Sequence, residues 1–414
     1  MGSLWSHRDF CRLWAGETIE WVTDSISTLG IPTIAIIAFN AGPFDMGVLN
    51  ALGYVAFPFL GLFAGVWVDR WRRKRVLIWT NILQVIALAS IPVAFTLGVL
   101  SLYQLFLVML VMSVTIVFFN IAYTAYLPTL IDREDLVEGN SKLETSSSGS
   151  TVIGPGLAGG LIQLLGAAQS IAVDAFGTLI AAIAILSIRK LEPQPRLHVE
   201  HHFWNEFRDG LRCVADTQSL RSLVVATSIL NVGNSMFYAL FFLFIYDELK
   251  ISPELAGIIL SIGGVGFVIG ALAAPTLLKR IGLGGSLILA LLINGVGRLT
   301  VPTSTHGPAV ILLSATWLLA NIGIPIYNIN QVSFRQAIVS DELQGRMNAT
   351  MRTFSYGAAT VGALIGGTLG SVYGIIPVML SGAIISILPV PLVYFGIPGK
   401  FKDTLLCGTR VKNS

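Results

Sequence analysis

Apolar residues along this chain come in long uninterrupted runs. No Asp, Glu, Lys or Arg breaks 46–68, 76–131, 145–173, 222–246, 255–278, 299–334 or 353–399. None of these runs alternates with a two-residue period, which excludes a barrel of strands. A helix crossing hydrocarbon needs roughly 20 mostly apolar residues, and there the backbone must satisfy its own hydrogen bonds. Runs 76–131 and 353–399 are each long enough for two crossings, with breaks near Gly98–Ser101 and Tyr373–Gly374. The pattern predicts an all-α membrane protein of twelve spans, near 14–38, 46–68, 76–97, 102–125, 145–165, 168–188, 222–246, 255–278, 284–304, 308–330, 347–371 and 375–396.

Composition agrees. Of 414 residues, 54% are hydrophobic and 12% charged, about half the charged share of a soluble domain. The net charge of +3 says little, but its placement says more. Of the 26 Lys and Arg residues, all but Lys250 and Arg298 fall on one side of the span map. The side rich in Lys and Arg is cytoplasmic, so both termini are expected there. The first apolar stretch is too long for a cleavable signal and contains Glu17, Glu20 and Asp24, so it reads as a retained helix. Cys11, Cys213 and Cys407 all fall on the expected cytoplasmic side, where disulfides are not anticipated, and their spacing gives no metal site.

The longest loop, 189–221, is charged, holds Pro193 and Pro195, and divides the spans six and six. The expected plan is a six-helix bundle over 1–188, a cytoplasmic linker over 189–221, a second six-helix bundle over 222–396 and a cytoplasmic tail over 397–414. Within the linker, Phe203, Phe207, Leu211 and Val214 recur at helical spacing. They fit a short amphipathic helix on the membrane surface; a plain solvated linker is the other reading. His198, His201 and His202 in the same loop read as a solvated cluster rather than a metal site. An internal repeat supports the division. TLIDREDLVEGNSKL at 129–143 returns, half the chain on, as QAIVSDELQGRMNAT at 336–350, aligning Leu136 with Leu343. Farther along, Gly159 and Gly160 align with Gly366 and Gly367, and paired six-helix repeats are one known transporter plan.

At the end of the second span stands Gly65-Val-Trp-Val-Asp69-Arg70-Trp-Arg72-Arg73-Lys74-Arg75. It resembles the signature of the major facilitator superfamily, Gly-x-x-x-Asp-Arg-x-Gly-Arg-Arg, with Arg72 where the family usually has Gly. The resemblance implies a conformational lock of Gly65, Asp69, Arg70 and Arg73. Asp69 is expected to meet the start of span eleven near Gly345, Arg346 and Asn348 when the transporter faces outward. Basic residues there also hold anionic lipid and fix topology. In span five, Gly154-Pro155-Gly156-Leu-Ala-Gly159-Gly160 resembles the Gly-Pro-x-x-Gly-Gly antiporter motif of exporting members, with one extra residue. Small residues let spans five and eight approach, and the proline bends the helix; tight packing with no bearing on transport direction is the other reading. With Phe10-Cys-Arg12-Leu-Trp14-Ala-Gly16 and Asp341-Glu-Leu-Gln-Gly345-Arg346, the whole chain is similar to the macrolide- and siderophore-exporter branch.

Ionisable residues at membrane depth are costly and point to function. Glu17, Glu20 and Asp24 follow i, i+3, i+7 and share one helical face of span one. The resemblance implies that this span lines a central cavity, so the face suits proton or cation binding, with Asp24 the foremost candidate. For Glu17 a place among the lipid headgroups, paired with loop arginines, stands as an alternative. Asp174 in span six reads as a partner for a polar group on a neighbouring helix. Arg298 in span nine either snorkels outward or pairs with an acid. The Arg that the family often carries in span four for proton coupling is missing here. Expected cavity residues are Asn120, Tyr123 and Tyr126 in span four, Asn231, Asn234 and Tyr238 in span seven, and Asn321, Asn328 and Gln331 in span ten. A mostly apolar pocket with a few polar anchors suits lipophilic, weakly basic molecules.

No Gly-rich phosphate loop, HExxH or Gly-x-Ser-x-Gly stands in the chain, so neither an enzyme nor a cofactor is expected. The resemblance implies a monomeric exporter of small lipophilic molecules (drug, macrolide or siderophore) in a bacterial cytoplasmic (inner) membrane. Proton antiport would drive it, with small-molecule substrate, proton and membrane lipid as its partners and no nucleic acid. A uniporter or importer, and a non-transporting membrane sensor or scaffold of the same fold, are the alternatives.

Overall fold

The computed structural model describes residues 4–190, 192 and 203–397, and among these the ordered elements are all helices. His198, His201, His202, Cys407 and all of the expected tail but Ile397 lie outside the described residues, as does the Asp69 side chain. The helices are α1 (Arg8–Phe39), α2 (Pro43–Tyr54), α3 (Ala56–Arg70), α4 (Arg73–Thr96), α5 (Leu102–Leu130), α6 (Leu136–Leu165) and α7 (Ala167–Ser187). After the linker come α8 (Phe203–Asp216), α9 (Gln218–Leu243), α10 (Pro253–Leu299), α11 (Ala309–Ile338), α12 (Asp341–Tyr373), α13 (Ile375–Ile387) and α14 (Val390–Gly396).

Nine helical segments among the described residues are long and apolar enough to cross a membrane. One of them, Pro253–His306, is two rods joined at Gly282, whose φ of 73° takes the backbone out of the helical region. Leu136–Leu165 and Asp341–Tyr373, at 30 and 33 residues, are long enough to span but carry the polar starts that the repeat placed there. The expected breaks are present as backbone turns. α4 ends at Thr96 ahead of Gly98 (φ 70°), and the Ser101 hydroxyl then accepts from the Gln104 N–H at 3.3 Å to start α5. α12 ends at Tyr373 because Gly374 takes φ 90°, a region that an L side chain resists.

The chain forms two compact units. The first comprises residues 1–41, 59–200 and 251–261, and the second 42–58, 201–250 and 262–414. In the first unit α1 packs on α5, α6 and α7, and α4 on α5 and α7. Phe10, Leu13, Leu77, Tyr126 and Ile185 form the buried cluster at one end of that bundle. Asp9 ties the start of α1 to the exit of α7, accepting from the backbone N–H of Arg189 at 3.2 Å and of Lys190 at 2.9 Å. Partial burial pushes its carboxyl up, but these donors and Arg12 outweigh that and hold it below the usual carboxylate range.

In the second unit α12 and α13 pack on α9, and α2 packs on α12. Phe203–Asp216 of the linker is helical and rests on α12. A methyl group added to Gly210 would stand 2.6 Å from the Arg346 carbonyl oxygen, and Asp209 pairs with Arg346 at 2.8 Å. Cys11 is a free thiol. Cys213 is buried in the cluster of Val214, Leu220 and Leu223.

Candidate functional site

Glycines bring two helices close against α1. A β-carbon on Gly177 of α7 would meet the Thr23 side chain, with Cγ2 at 2.7 Å, and one on Gly154 of α6 would stand 3.2 Å from the Val22 carbonyl oxygen. Large side chains at either position would push α1 away. This grip fixes the face bearing Glu17, Glu20 and Asp24 within the first unit. Glu17 is 1% exposed, and neither of its carboxylate oxygens has a partner among the described residues. No arginine pairs with it among the described residues. One Glu20 oxygen is likewise buried and unpartnered, while Asp24 is exposed.

Glu20 stands within electrostatic reach of both Glu17 and Asp24. Asp174 of α7 completes the cluster from the opposite helix, within reach of Asp24 and Glu20. It accepts from the Ser27 hydroxyl of α1 and lies within hydrogen-bonding reach of the Thr23 hydroxyl on the same helix. Asp174 thus has the neighbouring-helix partner that the sequence suggested, and it also adds a fourth acid to the set. Tyr123 of α5 lies within reach of Glu17, Glu20 and Glu144, its hydroxyl unpartnered. It lines a cavity of about 420 Å³ with Trp21, Asn140 and Glu144. Asn120 does not line that cavity; its carbonyl receives the Thr124 hydroxyl at 2.7 Å within α5.

The second unit encloses a cavity of about 360 Å³, lined by α2, α9, α10, α11 and α12. The structure brings Asn231, Asn234, Tyr238, Asn328 and Gln331 together there. Asn321 stays out, turning its amide back to the Trp317 carbonyl at 2.8 Å. Three arginines join the lining: Arg298, Arg335 and Arg352. Arg298 does not snorkel, and no acid pairs with it among the described residues. It is 1% exposed, its guanidinium carbon lies 4.9 Å from the Tyr238 ring and 5.1 Å from that of Phe237, and Nη1 reaches the Asn234 carbonyl at 3.4 Å. Its charge at membrane depth was the signal in the sequence. Arg335 and Arg352 gave none, since both read as ordinary basic residues near a helix end.

The small-residue motif forms a seam within the first unit. A β-carbon on Gly159 would stand 2.7 Å from the Pro253 carbonyl oxygen and 3.0 Å from the Gly257 Cα, so α6 and the start of α10 touch backbone to backbone. The Gly156 N–H donates to the Ser261 hydroxyl at 2.8 Å, one turn away. Gly160 faces open space. The repeat holds for one pair: a β-carbon on Gly366, the counterpart of Gly159, would stand 2.6 Å from the Met236 Cα, whereas one on Gly367 would stand 2.6 Å from the Gly47 Cα although its counterpart Gly160 has open space. Both of those contacts lie inside the second unit.

Of the basic motif, Gly65 has nothing near its absent β-carbon and Arg70 is exposed. Arg73 begins α4, whose first N–H groups are capped by a residue that the sequence did not single out. Glu192 accepts from the Arg73 N–H at 2.9 Å and the Lys74 N–H at 3.2 Å, placing negative charge on the helix start. Arg346 is held by Asp209.

Long apolar helices, an acidic face on α1 and two cavities with polar linings fit a polytopic membrane transporter of small molecules. Residues 5–400 match the family described as transmembrane secretion effector, and the chain belongs to that family of the major facilitator superfamily. It is 22% identical over 343 residues to macrolide efflux protein A of Streptococcus pyogenes, covering 82% of this chain and 83% of that one. It is 24% identical over 389 residues to the multidrug efflux pump Tap of Mycolicibacterium fortuitum, covering 88% and 92%. In fold it is similar to a variant of the nucleoside transporter NupG, with a TM-score of 0.79 at 14% identity, covering 94% of this chain and 100% of that one.

Proposed function

We propose that the protein is a proton-coupled exporter of small lipophilic molecules of the drug, macrolide or siderophore class. It works as a monomer in the bacterial inner membrane, with both termini cytoplasmic. Twelve spans form bundles over 1–188 and 222–396, joined by the 189–221 linker, and the bundles rock about a midplane site. Export is supported by the efflux relatives, one named for macrolides and one for multiple drugs. The coupling assignment rests on one observation, the acidic face of α1, where Glu17 is buried with no partner for either oxygen. A carboxyl kept from both water and cations is stable chiefly in its neutral form. It then loses its proton only when the protein changes state.

In this reading Glu17, Glu20 and Asp24 take up a proton from the acidic side and release it inward. Substrate and proton favour opposite states, which is how coupling arises. Asn231, Asn234, Tyr238 and Asn328 anchor substrate in one half, and Tyr123 does so in the other. The test is flux into inside-out vesicles with an imposed proton gradient, using a panel of lipophilic drugs and siderophores. Wild-type protein should accumulate substrate until an uncoupler is added, and the Glu17→Gln/Glu20→Gln/Asp24→Asn triple variant should not. Accumulation in that variant equal to wild type overturns the coupling assignment, and flux indifferent to the uncoupler makes the protein a uniporter.

A further inference from the structure

Arg298 lies 1% exposed at the far end of the second half of α10, sixteen residues past the break at Gly282. A buried guanidinium is ordinarily paired with a carboxylate, because lost hydration has to be replaced by fixed negative charge. Among the described residues no Asp or Glu lines the cavity. The Nε of Arg298 has no acceptor, and neither has the Nε of Arg335, which is 8% exposed on α11. The titratable groups within reach of Arg335 are Tyr327 and Arg352, and those within reach of Arg298 are Tyr54 and Tyr238. The two aromatic rings against Arg298 supply a cation–π contact but no full counter-charge.

We infer that the cavity of the second unit is an anion subsite, in which the guanidinium of Arg298 holds the carboxylate or phosphate of an amphiphilic organic anion and Arg335 and Arg352 draw it in. The inference rests on the transporter reading for the ligand's purpose, but its chemistry stands on the cavity alone. A guanidinium presents donors in a planar fork that matches a carboxylate or phosphate edge. The three arginines are spread along the cavity. α10 and α11 run in opposite directions, so Arg335, three residues before the end of α11, lies toward the opposite end from Arg298. The remaining groups specify the rest of the ligand. The amide oxygens of Asn234, Asn294 and Gln331 are buried without donors, so they call for hydroxyl or N–H groups on it. Tyr54 and Tyr356, with centroids 6.1 Å apart, offer ring surface. Each unit carries one sign of charge at its site: acids on α1 and α7 trade protons in the first, and arginines on α10, α11 and α12 hold the anion in the second.

Two sources can supply such an anion, a free organic acid and the phosphate of a lipid headgroup. The experiment measures binding of dansyl-phenylalanine and its methyl ester to full-length protein in nanodiscs, made either of phosphatidylcholine alone or with phosphatidylglycerol. The expected result in phosphatidylcholine is at least tenfold tighter binding of the acid than of the ester. Arg298→Gln should reduce that preference to near unity. If the preference persists in phosphatidylglycerol, the occupant is a free organic anion. If it disappears there, while native mass spectrometry finds phosphatidylglycerol on wild type and not on Arg298→Gln, the occupant is a lipid headgroup. Should Arg298→Gln fail to fold, Arg298→Lys and Arg335→Gln decide, each expected to reduce the preference at least threefold. Equal binding of acid and ester to wild type in phosphatidylcholine overturns the inference, as does a preference untouched by these variants. Because binding is read without flux, an anion preference in a protein that moves nothing would defeat the exporter reading and leave the subsite standing.

Discussion

Glu17 is the residue on which stability and function pull apart. A carboxylate buried without hydrogen-bond partners stabilises nothing; it costs free energy that the fold makes up elsewhere. Glu17→Gln should therefore leave the melting temperature in detergent unchanged or raised. Gradient-driven transport should fall tenfold or more, about 1.4 kcal/mol of lost coupling or barrier lowering. A variant that melts lower and transports normally would make Glu17 a structural residue. The sequence made the acidic face legible, because three carboxylates at i, i+3, i+7 inside an apolar run are too costly in hydrocarbon to persist without a use. It put Asp24 first but did not foretell how deeply each is buried. Asp24 looked foremost from its depth, yet the structure leaves Asp24 exposed and buries Glu17. Burial depends on what α6 and α7 bring against α1, and no local pattern encodes that.

Helices meet in this protein through glycines, and the two neighbours Gly159 and Gly160 separate packing from composition. A methyl group at position 159 would run into the Pro253 carbonyl oxygen at 2.7 Å, while one at 160 meets nothing. Gly159→Ala should reduce both the folded yield and the melting temperature, by about 1–3 kcal/mol of overpacking. Gly160→Ala should match wild type within error, and thermal melts of the two variants side by side check this. The motif was readable as a packing device, but a string of glycines does not say which of them touches a partner.

The linker helix offers a second comparison. Asp209 and Arg346 form a short ion pair, but their side chains are 43% and 37% exposed. A double-mutant cycle with Asp209→Ala and Arg346→Ala should give a coupling of only about 0.2–1 kcal/mol, weakened further by salt. A larger value would show that α8 is held to α12 chiefly by this pair rather than by the close fit at Gly210. The helical spacing of apolar residues foretold a helix here. Its partner was invisible, since Asp209 and Arg346 stand far apart along the chain.

For the whole molecule, hydrophobic runs and the placement of Lys and Arg carried the fold class, and short motifs carried the family. What they missed lies between distant segments. Residues 42–58 group with the second compact unit and 251–261 with the first. The cause is visible in the glycine seams, Gly47 against Gly367 in one unit and Gly257 against Gly159 in the other. The repeat placed Gly159 and Gly366, and Gly160 and Gly367, in equivalent positions within their halves, but nothing local named their partners. Asn231, Asn234 and Tyr238 of α9 line the cavity of the second unit, as do Arg335 and Arg352, which were hidden among basic residues near helix ends.

Proton release on substrate binding tests the central claim most directly, since it needs neither a sealed vesicle nor a known direction of transport. Purified protein in weakly buffered detergent solution, mixed with a substrate found in the vesicle screen, should release protons in proportion to the substrate bound. A Glu17→Gln, Glu20→Gln, Asp24→Asn triple variant should bind that substrate and release none. Equal release from the triple variant, or none from a wild-type protein that binds and transports, would contradict the account.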